Sequence, residues 1–407
     1  MSRTVGIVAL ILVATSFGSA FGQTKPRARD LGVPFDGTPG LLNAITDVPG
    51  VEVGQVTIIS GSGPLVVGKG PVRTGVTAIL PRGKASGDPV MAGWFTLNGN
   101  GEMTGTTWIE ESGFLGGPVL ITNTHSVGVV HDAVIEWLVR HRFDFDWSLP
   151  IVAETWDGSL NDINGFHVTK QHAFTALDSA RGGPVAEGNV GGGTGMVCHQ
   201  FKGGIGTASR RFTIEDKTYT LGVLVQCNYG SRRLLRIGGV PVGAEIADQL
   251  PCYDTSGPLP TQERYPRCAA TPGPAGMEPE ELGSIIVVVA TDAPLLPHQL
   301  KRVATRVTLG VGRMGGLGGN SSGDIFVAFS TANPNAAPST GHPTVTFIPN
   351  EKINPVFEAT VQATEESIIN ALVAAETMKG ANDLKITALP HDRLRDVLRN
   401  YNRLTRQ

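Results

Sequence analysis

The feature that most constrains this chain is the run Gly283 to Thr291, GSIIVVVAT. It is a continuous, mostly β-branched apolar stretch bounded by polar and turn residues. Such a run fits a strand buried on both faces. The residues before it, 251–282, are rich in Pro, Gly and Glu without apolar periodicity, and read as an exposed linker. The change from linker to core strand falls on Ser284. Were the bond before Ser284 cut, the new terminus would carry a hydroxyl and an α-amine on one residue. An α-amine ordinarily titrates at about 7.7–8, so it can serve as that serine's own base near neutral pH. On these residues alone, a strand that begins with Ser is the simpler reading.

The rest of the chain supplies layers around such a strand. Residues 75–80, 118–122, 150–153, 220–226 and 325–330 are predicted strands, with the alternating Val51-Glu52-Val53 near the start. Helical spacing runs from Val127 to Val139 and from Pro297 to Val311. A third helix, over 356–378, starts after Pro355, stops at Gly380, and carries Val361, Ile368, Ile369, Leu372 and Val373 on one broad face. The mixture predicts an α/β protein of sheets covered by helices, without a regular βαβ repeat. The turn-dense NGNGEMTG at 98–105 is of the kind that lines sites.

The first 22 residues stand apart. Arg3, the apolar stretch Val5 to Ser16, and the small residues Ala20-Phe21-Gly22 read as a secretory signal peptide cut before Gln23. No segment is long and apolar enough for a membrane helix, and no Cys follows the apolar stretch to take a lipid. The expected location is periplasmic. Export permits disulfides. Cys252 and Cys268 would close a short loop across the linker, which spacing alone does not decide, whereas Cys198 and Cys227 read as buried free thiols. A net charge of −3 and the lack of a Lys/Arg block argue against a nucleic-acid partner.

GSIIVVVATDAPLLPHQLKRVATRVTLGVGRMGG followed by SSGDIFVAFSTAN resembles the self-processing β-peptidyl aminopeptidase and L-aminopeptidase/D-esterase family. RARDLGVPFDGTPGLLNAITDVPGVEVG, ETWDGSLNDINGF, AEGNVGGGTGM and LGVLVQCNYG carry the same resemblance in the same order. It implies a precursor that cuts itself between Gly283 and Ser284. The product would be an N-terminal-nucleophile hydrolase, a layered αββα sandwich forming one domain from 23–283 and 284–407. It also implies a homotetramer of such pairs, with a short peptide or amide as substrate and no cofactor.

The resemblance assigns roles residue by residue. Ser284 would be the nucleophile. Ser322 would contact it through a hydroxyl, and Asp324, one methylene shorter than the Glu of some members, would orient that network. Asn228 would donate to the oxyanion. Glu154, read as an unpaired carboxylate in a mostly apolar cleft, would bind the substrate's free amino group. Trp156 stands where some members have Tyr, so its backbone N–H would replace a phenol donor. Without the resemblance, each is a turn or strand-end residue.

Other motifs lead elsewhere only superficially. Gly310 to Gly315 fits GxGxxG but ends a helix instead of following a strand, against dinucleotide binding. GNVGGGTG lacks the Lys-Ser/Thr of a phosphate loop and reads as a stretch that lets backbones approach closely or shapes the cleft. The histidines show no metal-ligand spacing, so no metal is expected. Asn320-Ser321-Ser322 is formally a glycosylation sequon on the site itself. The leading expectation is an exported aminopeptidase favouring β-amino residues. The rivals are an L-aminopeptidase/D-esterase-amidase and a non-catalytic binding relative.

Overall fold

Gly283–Thr291 is an interior strand of a six-stranded sheet, hydrogen-bonded to a neighbour on each side. The computed structural model describes residues 25–141, 147–260, 265–268 and 283–405. The proposed signal peptide therefore lies outside the described residues. In chain order the main strands are β1 (Glu52–Ser60), β2 (Val72–Leu80), β3 (Val90–Thr96), β4 (Val119–Asn123), β5 (Ile151–Thr155), β6 (Gly204–Ile214), β7 (Lys217–Asn228), β8 (Gly283–Thr291) and β9 (Ser322–Ser330). The longer helices are α1 (Val127–His141), α2 (Lys170–Asp178), α3 (Pro297–Arg313), α4 (Asn354–Ala374) and α5 (His391–Asn400).

The larger sheet has the order β3-β9-β8-β7-β6, with Phe114–Leu115 outside β3. The smaller sheet runs β1-β2-β4-β5. Side chains alternate across each strand, and the alternation defines the layers. Along β8, Ile285, Val287 and Val289 join the core that includes α3 and α4 residues such as Val303 and Ile368. Ile286, Val288 and Ala290 instead meet Ile79, Ile121 and Ile151 of the smaller sheet. The far face of that sheet, through Val76, Leu120 and Val152, packs on Val134 and Leu138 of α1 and on Leu177 of α2. Helix, sheet, sheet, helix is the expected αββα sandwich. Burying each large aliphatic side chain contributes roughly 1.5–3 kcal/mol, so the two-sided β8 is a principal source of cohesion.

Three expectations change. Helix α4 ends at Ala374, four residues before the expected 378, because Ala375 turns to an extended conformation. Asn189 then holds Glu376 through both its backbone N–H and its carbonyl. The helix is also buried beyond one face, since Glu366 is paired with Arg29 and Arg210 inside the protein. Cys198 and Cys227 are joined as a disulfide, not free, with Cα atoms 5.6 Å apart. The Val197 N–H bonds the side chain of Asn228, which brings Cys198 beside Cys227. Cys252 and Cys268 are also joined, and Cys252–Tyr253 pairs with Leu384–Ile386, so the start of the linker is tied down.

Candidate active site

The register of three adjacent strands assembles the site. Ser284 on β8 lies opposite Asn228 on antiparallel β7 and opposite Gly323 on parallel β9. Ser284 is 5% exposed. The Gly323 N–H donates to its Oγ at 3.1 Å. Gly283 has φ +138, and a Cβ there would stand 1.8 Å from the Asn228 carbonyl oxygen and 3.3 Å from Asn228 Nδ2. Only glycine fits that approach.

Ser322 and Asp324 flank Gly323. The Ser322 hydroxyl donates to Asp324 Oδ1 at 2.6 Å, and the Ile285 N–H donates to the same oxygen at 3.3 Å. The contact to Ser284 therefore comes from Gly323, between the two, and not from the Ser322 hydroxyl as expected, which turns to the carboxylate instead. Burial pushes the Asp324 pKa up, partly offset by donation from Ser322, the Ile285 N–H and Asn98. Asn98 clamps this residue from the turn-dense segment, accepting from its N–H at 2.6 Å and facing Oδ2 at 3.4 Å. That segment reads from sequence only as the kind that lines sites, and nothing there singles out Asn98.

Asn228 is fixed at both ends. Its Oδ1 accepts from the Val197 N–H at 2.8 Å, and its Nδ2 donates to the Trp156 carbonyl at 3.0 Å. A side-chain amide nitrogen has two hydrogens, so a second donor remains beside Gly283. The Trp156 contact to Asn228 thus runs through its carbonyl, while its half-buried indole packs where a Cβ on Gly158 would come within 2.5 Å.

Glu154 is buried at the end of β5. The Glu102 N–H donates to Oε1 at 3.0 Å, and the Thr124 hydroxyl donates to Oε2. No Lys or Arg pairs with it among the described residues, but the expected bare apolar setting is a pair of polar donors. Burial pushes its pKa up, and the donors from Thr124 and Glu102 pull it back. Nothing in the sequence around Thr124 marked it. Gly101 joins Glu154 to the strand cluster: a Cβ there would stand 3.3 Å from Glu154 Oε1 and 3.0 Å from Gly323 Cα. The structure therefore gathers Ser284, Ser322, Asp324, Asn228, Glu154 and Trp156 around one place.

The profile of peptidase family S58 matches residues 43–386. The β-peptidyl aminopeptidase BapA of Sphingosinicella microcystinivorans is 58% identical over 395 residues, covering 97% of each chain. The protein of the same name from Sphingosinicella xenopeptidilytica is 49% identical over 97% of this chain and 95% of its own. Among solved structures, the L-aminopeptidase D-Ala-esterase/amidase of Ochrobactrum anthropi superposes with a TM-score of 0.83 at 48% identity. That match covers 94% of this chain and all of that one, and its fold is described as a variant of the Ntn hydrolase fold. Sequence and fold agree: this chain is a serine-type aminopeptidase with the Ntn hydrolase fold and belongs to peptidase family S58.

Proposed function

We propose that the chain cuts itself between Gly283 and Ser284 and then works from the new terminus as a β-peptidyl aminopeptidase. The observation that carries this is the seat of Ser284: its Oγ is held by Gly323, directly after a positive-φ glycine pressed against Asn228. In the first step Ser284 Oγ attacks the Gly283 carbonyl carbon. A C–O bond forms, the C–N bond breaks, and the hydroxyl proton ends on the nitrogen, now a free α-amine. Water then hydrolyses the ester, leaving a Gly283 carboxylate and a restored Ser284 hydroxyl. The remaining Asn228 N–H, beside Gly283, would donate to the oxygen on which negative charge develops.

In turnover the α-amine takes the Ser284 proton as Oγ attacks the substrate carbonyl, and returns it to the leaving amine. Water then releases the acyl product. Ser322 and Asp324 hold the proton network. The products stay together because β8 and β9 of the smaller one lie between β7 and β3 of the larger. The apolar stretch Val5 to Ser16 and both disulfides support export to the periplasm.

Glu154 would bind the substrate ammonium, a charge-assisted bond about twice as strong as a neutral one. A grip on the amino group tolerates one more backbone methylene, and two relatives are named for β-peptides. The likeness to an L-aminopeptidase D-Ala-esterase/amidase favours α-residues as a second reading. A panel of β-homoamino-acid amide, L-amide and D-ester, with an N-acetylated control, separates them. The β-amide should turn over fastest, and the acetylated form at least about ten-fold slower. A faster L-amide or D-ester would favour the second reading, and equal rates with and without the acetyl group would end the role of Glu154.

A further inference from the structure

Lys202 is fully buried, and no carboxylate pairs with it among the described residues. Its Nζ donates instead to three backbone carbonyls: Met196 at 2.8 Å, Gly203 at 2.8 Å and Gly193 at 3.4 Å. Burial pushes the Lys202 pKa well below the usual lysine value, but the geometry favours the ammonium. Three carbonyl oxygens match its three hydrogens, whereas a neutral amine offers two and would turn its lone pair on the third oxygen. The Met196 carbonyl also accepts from the Gly203 N–H at 2.9 Å. That carbonyl and the Val197 N–H are two ends of one peptide group, and the Val197 N–H is the donor to Asn228 Oδ1.

The connection runs unbroken: ammonium to carbonyl, peptide N–H to amide oxygen, amide nitrogen to the place beside Gly283. Hydrogen bonds in series polarise one another, by about 10–30% per bond. A positive charge at one end draws electron density along the chain and makes the far Asn228 N–H a stronger donor. The turn itself is already clamped by the Cys198–Cys227 disulfide, so what Lys202 adds beyond position is charge.

We propose that Lys202 is a positioning residue for the reaction, which acts through the Met196–Val197 peptide to orient and polarise Asn228 toward the oxyanion. This rests on the reading of Asn228 as an oxyanion donor. Removing such a donor outright costs roughly 10²–10³ in kcat, so weakening it should cost about ten-fold.

The test measures kcat and KM on a peptide amide, per cleaved molecule, for the wild type, Lys202→Met and a Val197 ester form whose backbone N–H is replaced by oxygen. Each change alone should lower kcat about ten-fold and leave KM within about two-fold, since the bond strengthens only as charge develops. Together they should be no slower than either alone, because both cut the same relay. Losses that multiply would overturn the proposal. If Lys202→Met does not fold, Lys202→Gln replaces it, and full kcat in a Lys202 variant or in the ester form also overturns it. Asn228→Ala is run beside them: wild-type kcat there would sink the oxyanion reading itself, whereas an impaired Asn228→Ala with an unaffected Lys202 variant would sink only the relay.

Discussion

Asp324 and Glu154 are both buried carboxylates, and burial pushes both pKa values up. They differ in what holds them. Asp324 takes its donors from Ser322 and Ile285 on the paired strands β9 and β8, with Asn98 from the facing loop. Glu154, on the other sheet, is held by Glu102 and Thr124, which lie outside the strands. One carboxylate is built into strand register, where a shift of one residue would dismantle the sheet. The other depends on connecting segments that can vary without disturbing the core. Under the proposed roles this is a division of labour, chemistry on the six-stranded sheet and recognition at the end of the four-stranded one.

That division can be broken by substitution. The largest effect should come from Ser284→Ala, which removes the nucleophile of both proposed reactions. Precursor should persist on a gel, and kcat should fall on the order of a million-fold. Next, Ser322→Ala and Asp324→Asn should lower kcat by roughly 10²–10⁴ with little change in KM. Cleavage is scored first, and correctly cleaved variants with wild-type rates would remove both residues from the proton network. Glu154→Gln should act on the other side of the divide. Its kcat/KM for a free-amine substrate should fall about ten-fold, while the N-acetylated analogue stays unchanged. A variant that kept full discrimination would move recognition to another residue.

The smallest effect concerns stability near the recognition side. Asp157 is wholly buried beside Thr74, Asn161 and Asn123, and burial pushes its pKa from 3.8 to about 7. The native carboxyl thus keeps a proton where the unfolded one has lost it. The stability this gives is complete below about pH 4 and is lost as pH rises through about 7. Thermal melts from acid to neutral pH should therefore slope downward more steeply for the wild type than for Asp157→Asn. Parallel slopes would show that Asp157 is ionised throughout.

The sequence made the two-sided strand legible because every residue from Ile285 to Ala290 is apolar, a pattern few other environments tolerate. Ser284, Ser322, Asp324 and Asn228 were legible through the resemblance, since alone they are ordinary turn residues. The structure adds that register puts Asn228, Ser284 and Gly323 in one row. Strand β6 escaped notice because Gly204, Gly206 and the pair Arg210-Arg211 break its apolar alternation, yet Gly206 is needed where a Cβ would come 2.0 Å from the Ser367 carbonyl oxygen. The buried side chain of Lys202 and the Cys198–Cys227 bond were invisible for one shared reason. Both depend on a Gly-rich turn folding back onto the end of β7, which no local period records.

The central claim is that Ser284 becomes a nucleophile by becoming a terminus. Intact-mass spectrometry of the purified, active enzyme, followed by N-terminal sequencing of its chains, tests it most directly. The expected result is two chains, the smaller beginning at Ser284. A single uncut chain that hydrolyses its substrate at full rate would contradict the account.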